Sequence, residues 1–384
     1  MKQKQFRTLL AGAAFGLWTI GAAWADTLNV GVVVSLTGPG AALGIPYRNV
    51  FQMLPKTLGG VDVNYHVLDD ASDTTTGVKN ARKLVDENKI DVLVGSGSLP
   101  VTLAMGAVIR EGQVPQIALA PMDYDPARDI WTFSLPQPMG LMMAEVVDDM
   151  VRRKVGTVGY IGFADSWGDA VYKHLNEQAA KVGIKVLGNE RYNRNDVSVI
   201  GQAVKLLAAK PDAVMVGGSG TPGALPHIAM RDSGYKGQMY NTHGSVSGDF
   251  LRVGGKSVEG TLAPAGPLLF ADQLPAGHPV KPVAAAALEQ YDKAYGASAR
   301  SPFLGYAYDA YVLLSSVMPE VLKKAKPGSQ AFRVALRDAL EKNVRDVAGT
   351  QGVYSISRDN HNGLDRRARV LVQATGGRWV AVSQ

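Results

Sequence analysis

Apolar positions repeat along this chain with two alternating periods. Residues 28–36 read Leu-Asn-Val-Gly-Val-Val-Val-Ser-Leu, the pattern of a mostly buried strand, and Thr37-Gly38-Pro39-Gly40 breaks it. A helical segment is predicted over 46–58 and a second strand over 63–68. The acidic stretch 69–73 closes that strand and supplies a cap for a helix over 76–88. Three acids this close also invite a metal reading, but the spacing of a calcium loop is missing, so an N-cap in a solvated loop is expected. A strand at 91–94 leads through Gly95-Ser96-Gly97-Ser98 into a helix opened by Pro100, and residues 114–120 read as the next strand. Strands alternating with helices in this way predict βαβ units and a mostly parallel sheet.

After an extended connection at 130–138 the same pattern restarts. Helices are predicted at 139–153, 170–182, 199–209 and 224–233, with strands at 157–163, 185–190, 213–216 and 238–242. A proline-rich surface loop at 274–282 precedes helices at 283–295, 304–323 and 330–342, and short strands at 352–356 and 369–374 end the chain. The fold class is therefore α/β, with two similar lobes.

The loops matter more than the strands for chemistry. Ser96–Pro100, Ala120–Asp123, Ala164–Gly168, Gly217–Pro222 and Thr242–Ser245 each follow a strand, so all lie at carboxyl ends of strands. Ligands of open α/β sheets settle at such ends, and a helix N-terminus offers free N–H groups and a positive dipole end. Two such lobes facing each other form a cleft that closes by hinge motion. Catalytic and metal signals are weak. The six histidines lack zinc spacing, and both His-Glu-x-x-His and Gly-x-Ser-x-Gly are absent. One Gly-x-Gly-x-x-Gly runs from Gly218 to Gly223, but the acid expected about twenty residues on is missing, so a tight turn is the reading. No cofactor and no metal are expected.

Composition adds the compartment. Lys2, Lys4 and Arg7, an apolar run from Leu9 to Ile20, and Ala23-Trp24-Ala25 form a secretory signal, 1–25, with the mature chain starting at Asp26. Losing three basic residues and no acids lowers the formal charge from +6 to +3, too mild to argue for nucleic acid. There is no cysteine, hence neither a disulfide nor a lipid anchor on that residue. A free exported protein, most simply periplasmic, is the expectation.

Several pieces resemble a known family when taken in order: Val-Ser-Leu-Thr-Gly-Pro, Leu-Asp-Asp-Ala-Ser-Asp, Val-Gly-Ser-Gly-Ser, Ser-Trp-Gly-Asp, Val-Glu-Gly-Thr and Ala-Tyr-Asp-Ala-Tyr. Together they resemble the branched-chain-amino-acid type of periplasmic solute-binding protein, the leucine-binding-protein-like group of ABC importers, over essentially the whole mature chain. The resemblance implies two Rossmann-like lobes (type I periplasmic binding protein) joined by three crossovers, near Pro136, Pro264 and Gly352. It puts residues 26–137 and 267–350 in lobe 1, and 138–266 and 351–384 in lobe 2. It implies a monomer that serves an inner-membrane ABC permease. It also implies that Ser98, Leu99 and Pro100, with Ala120 and Met122, hold a ligand carboxylate, that Trp167 covers the ligand, and that Ser219 and His243 are pocket positions.

At His243 the amino-acid binders typically carry a glutamate that pairs with the ligand's ammonium group, and histidine supplies no fixed negative charge. An unpaired α-amino group would cost several kcal/mol to desolvate. A small carboxylate without an ammonium, aromatic or short aliphatic, is therefore favoured, with Trp167 and Met122 as apolar walls. Asp123 or Asp165 would restore an amino acid if either faced the pocket. An exported enzyme with a Ser–His–acid arrangement, or a sensor subunit of the same fold, remain the other classes.

Overall fold

The computed structural model describes residues 27–382, so the secretory signal lies outside the described residues. In the first lobe the chain runs β1 (Thr27–Val34), α1 (Ala41–Met53), β2 (Thr57–Leu58), β3 (Val61–Asp69), α2 (Thr74–Asp86), β4 (Val92–Gly95), α3 (Leu99–Gly112), β5 (Gln116–Ala118) and β6 (Thr132–Ser134). The second lobe continues with α4 (Met139–Arg152), β7 (Thr157–Phe163), α5 (Ser166–Val182), β8 (Lys185–Tyr192), α6 (Ile200–Ala208) and β9 (Ala213–Gly217). It goes on with α7 (Leu225–Asp232), β10 (Gln238–Asn241), α8 (Gly248–Gly254) and β11 (Leu262–Ala265). The chain ends with α9 (Val280–Tyr295), α10 (Leu304–Leu322), α11 (Gln330–Asn343), β12 (Val347–Ala348), β13 (Val353–Tyr354), β14 (Val370–Thr375) and β15 (Arg378–Ala381).

The two large sheets share one plan. The first has the order β2-β3-β1-β4-β5-β6 and is parallel except for the β2 edge. The second has the order β15-β14-β11-β10-β9-β7-β8, parallel from β8 to β11, with β14 and β15 added antiparallel. In each lobe the strand order reverses beside the first strand, between β1 and β4 and between β7 and β9. These are the topological switch points where loops diverge and leave a crevice.

The strands are continuous apolar runs because helices cover both faces of each sheet. Leu28, Val30, Val92 and Val94 pack under α1, α9 and α10, while Val33, Leu93, Val101 and Met105 form the core on the opposite face. In the second lobe, Tyr160, Val214 and Met215 pack against Met142, Val146 and Val171.

The chain crosses between lobes three times. The first crossing follows Ser134 and the second follows Ala265. The third differs from expectation. Tyr354, Ile356, Leu364 and Ala368 are buried in the first lobe's core, so residues 351–368 pack with that lobe and the crossing falls at Arg369 rather than Gly352. The strand expected over 352–356 is only two residues long and pairs with β12, away from the second sheet. The segment is positioned by Asp309 of α10, which accepts the backbone N–H groups of Thr350 and Gln351 and the Tyr354 hydroxyl. Gln137, in the first crossing, ties that segment to the third by donating to the carbonyls of Gln351 and Ala368.

Candidate functional site

The loops leaving the two switch points face each other. On the first lobe, the loop after β1 brings Ser35, the first turn of α1 brings Leu43, the loop after β3 brings Ser72, and the loop after β4 with the start of α3 brings Ser98 and Leu99 to one cavity. On the second, α5 brings Trp167 and the loop after β9 brings Ser219. Arg194 completes the wall from the loop after β8. The lobes stand close together, leaving about 20 Å³ there, roughly room for one water.

The local sequence makes each wall. Gly95 ends β4 at φ +122, and a Cβ there would stand 1.9 Å from the Val33 carbonyl oxygen, so only glycine lets this loop cross β1 so closely. Ser98 then caps α3 without a side-chain capping bond, while its N–H donates to Ser96 Oγ at 3.1 Å. Behind this wall lies Asp70, fully buried, accepting Ser35 Oγ and Ser96 Oγ at 2.6 Å each and the Ser72 N–H at 2.8 Å. Burial pushes the Asp70 carboxyl above its ordinary value, and the serine hydrogen bonds oppose that. Asp69 accepts from Leu36 and Thr37, and Asp73 caps α2 through Thr76 N–H. Asp73 is thus the expected N-cap, whereas Asp70 is buried rather than part of a solvated loop.

On the second wall Asp165 caps α5. Its Oδ1 accepts the N–H groups of Trp167 and Gly168, and its Oδ2 accepts Arg194 Nε at 2.7 Å. Trp167 is 4% exposed, and its indole N–H donates to the Gly218 carbonyl at 3.2 Å. Arg194 lies over the Phe163 ring at 4.2 Å and donates from Nη1 to Ser219 Oγ at 3.2 Å. The Gly-x-Gly-x-x-Gly run is a tight turn: a Cβ on Gly218 would stand 2.7 Å from the Gly223 Cα, and the turn carries Ser219 into the cavity.

Of the residues singled out from the sequence, Ser98, Leu99, Trp167 and Ser219 meet in the cavity. The other four do not line it. Ala120 and Met122 pack with the second lobe's core, where they and Leu99 form a contact between lobes. Pro100 sits in the first turn of α3, beside the cavity rather than in its wall. His243 is 5% exposed and lies behind Trp167, ring centroids 5.5 Å apart, with Nδ1 unpartnered among the described residues. Desolvation pushes its pKa down to about 4, so it is neutral near pH 7. Neither acid suggested as a replacement partner for an ammonium is free. Asp165 is committed to α5 and Arg194, and Asp123 is exposed and paired with Lys173 and His174. Sequence reasoning missed Arg194, the one charged side chain in the cavity wall among the described residues. The available signal was its place in a further strand-end loop, Asn193-Arg-Asn-Asp196.

A family model described as periplasmic binding protein matches residues 27–378. The chain belongs to the periplasmic binding protein family. The present fold is the type I arrangement of periplasmic binding proteins. The structure of an extracellular ligand-binding receptor from Rhodopseudomonas palustris HaA2 is 43% identical, with a TM-score of 0.90, covering 93% of this chain and 100% of that one. Leu/Ile/Val-binding protein homolog 1 of Brucella suis is 26% identical over 272 residues, 67% of this chain and 71% of that protein. A solute-binding protein of an ABC transporter from R. palustris, solved in complex with benzoate, is 19% identical with a TM-score of 0.74 over 93% of this chain and 96% of that one. No helix among the described residues is long and apolar enough to cross a membrane.

Proposed function

We propose that this protein, exported to the periplasm through its residues 1–25, captures a small organic acid lacking an ammonium group and presents it, as a monomer, to an inner-membrane ABC permease. The observation that carries the ligand class is the wall of the interlobe cavity: its charged side chain is a guanidinium, and no carboxylate joins it among the described residues. An α-ammonium enclosed there would have no anionic partner, since Asp165 and Asp123 are both paired elsewhere and His243 is neutral. A carboxylate would meet hydroxyl donors from Ser98 and Ser219 and a cation, while Trp167 and Leu43 supply apolar surface for an aromatic or aliphatic body. The cavity as it stands holds about one water, so the lobes part to admit the acid and close on it less tightly; affinity comes from burial and hydrogen bonding in that cleft, and no bond is made or broken.

The fold alone does not choose the ligand, because one similar protein was solved with benzoate and another is named for leucine, isoleucine and valine. That second name is the observation favouring amino-acid import as the other reading. Titration calorimetry of the mature protein with benzoate, phenylacetate and isobutyrate against leucine and isoleucine separates the two. We expect an acid to bind at least about a hundredfold more tightly than leucine, the ratio set by leaving an ammonium unpaired. Tight leucine binding with no heat from the acids would establish the amino-acid reading instead.

A further inference from the structure

We infer that Arg194 grips the ligand's carboxylate from the second lobe, and so selects the ligand's charge; this rests on the cavity being the ligand site. The guanidinium is 16% exposed and held in place from three sides. Its Nε donates to Asp165, its Nη1 donates to Ser219 Oγ, and its plane lies over Phe163. Its Nη2 makes no hydrogen bond among the described residues, although the side chain lines the cavity. A half-buried guanidinium fixed at two nitrogens with donors to spare is preorganised for a carboxylate, which arrives with little side-chain ordering left to do.

Arg191, on the same strand end, shows what a purely structural arginine looks like here. Its guanidinium pairs with Asp169, donates to the Phe163 carbonyl and stacks near Tyr160, and it does not line the cavity.

Hydrogen-bond accounting on the opposite wall points the same way. The hydroxyl protons of Ser35 and Ser96 are directed at Asp70, and the Ser98 N–H is taken by Ser96 Oγ. Those groups therefore offer few donors to an anion, and the buried Asp70 carboxylate behind them opposes one. Ser98 Oγ remains available as a partner, but the strong, charge-assisted donor is across the cleft.

The test pairs each acid with its neutral amide: benzoate with benzamide, and phenylacetate with phenylacetamide. Titration calorimetry is run on the wild type, R194Q, R194K and the double variant D165N/R194Q, which leaves no unpaired carboxylate at the cap of α5. The wild type should prefer acid over amide by about thirtyfold or more, and R194Q and the double variant should lose that preference. R194K, which keeps the charge and a partner for Asp165, should fold like the wild type and keep a reduced acid preference, because an ammonium supplies the charge but not the planar fork. Full acid preference kept in R194Q and in the double variant would overturn the role of Arg194 while leaving the organic-acid reading intact. A wild type that binds leucine and none of the acids would overturn that reading, and this inference with it.

Discussion

His243 does not itself decide what the cavity accepts. Its ring packs against Trp167 rather than facing the cavity, and burial keeps it neutral. Converting it to glutamate would therefore not build an ammonium site. H243E would place a carboxylate where the described residues offer no cation, at a cost of about 3 kcal/mol in stability by urea unfolding. It should not create leucine binding in calorimetry; leucine binding by H243E would mean that position 243 does face the ligand. The contrast with Arg194 explains what was legible at this scale. The loops that carry Ser98, Trp167 and Ser219 were legible because each follows a strand beside a switch point, while the choice of those residues within the loops rested on the family resemblance. Arg194 sits in a polar run that reads as a solvated loop, and it reaches the cavity only because β8 lies next to β7, a pairing no local pattern announces.

The elements of the first wall depend on one buried acid. Asp70 connects the loops after β1, β3 and β4 through Ser35, Ser72 and Ser96. D70N keeps the shape but replaces an acceptor with a donor, so one serine is left facing the wrong polarity. The expected loss is about 2 kcal/mol in unfolding free energy, together with weaker ligand binding in calorimetry, because Ser96 also holds the Ser98 N–H. Unchanged stability and affinity would show that the three loops are positioned independently. The larger elements were readable because their periods are long and strong, as in α5 and the strands at the centre of each sheet. The elements missed were short or out of register with any period. Thr132–Ser134 reads as an extended connection between prolines, yet it forms the last parallel strand of the first sheet. Leu262–Ala265 contains a proline and joins the second sheet where parallel pairing gives way to antiparallel. The position of residues 351–368 was misread because a short strand near the end of the chain shows no sign of which core will bury it.

Across the whole molecule, the two lobes also meet outside the cavity. The loop between β5 and β6 places Asp123 against Lys173 at 2.6 Å and His174 at 2.9 Å, both on α5 of the other lobe. The hydrogen bond to Asp123 raises the His174 pKa above its ordinary value; Glu177 adds to this, while burial and Lys173 oppose it. Parting the lobes would remove the Asp123 contribution and leave that of Glu177, which shares α5 with His174, so His174 would titrate lower in the open form and protonation favours closure. That contribution is complete below the open-form pKa and is lost as pH rises through the higher closed-form one. Asp123 is half exposed, so the effect is modest: about a threefold fall in ligand affinity across that interval, diminished by salt and absent in H174Q. D123A should weaken binding by a similar factor without touching the cavity wall, and small-angle scattering should show a more open average form. An affinity independent of pH and of Asp123 would mean that closure does not draw on this contact.

The most direct test is a crystal structure of the mature protein with the tightest-binding acid of the calorimetric panel. We expect density between the lobes, with carboxylate oxygens about 2.7–3.2 Å from Arg194 Nη2 and Ser98 Oγ and the ligand body against Trp167. A ligand lying outside this crevice, or an ammonium group enclosed within it, would contradict the account.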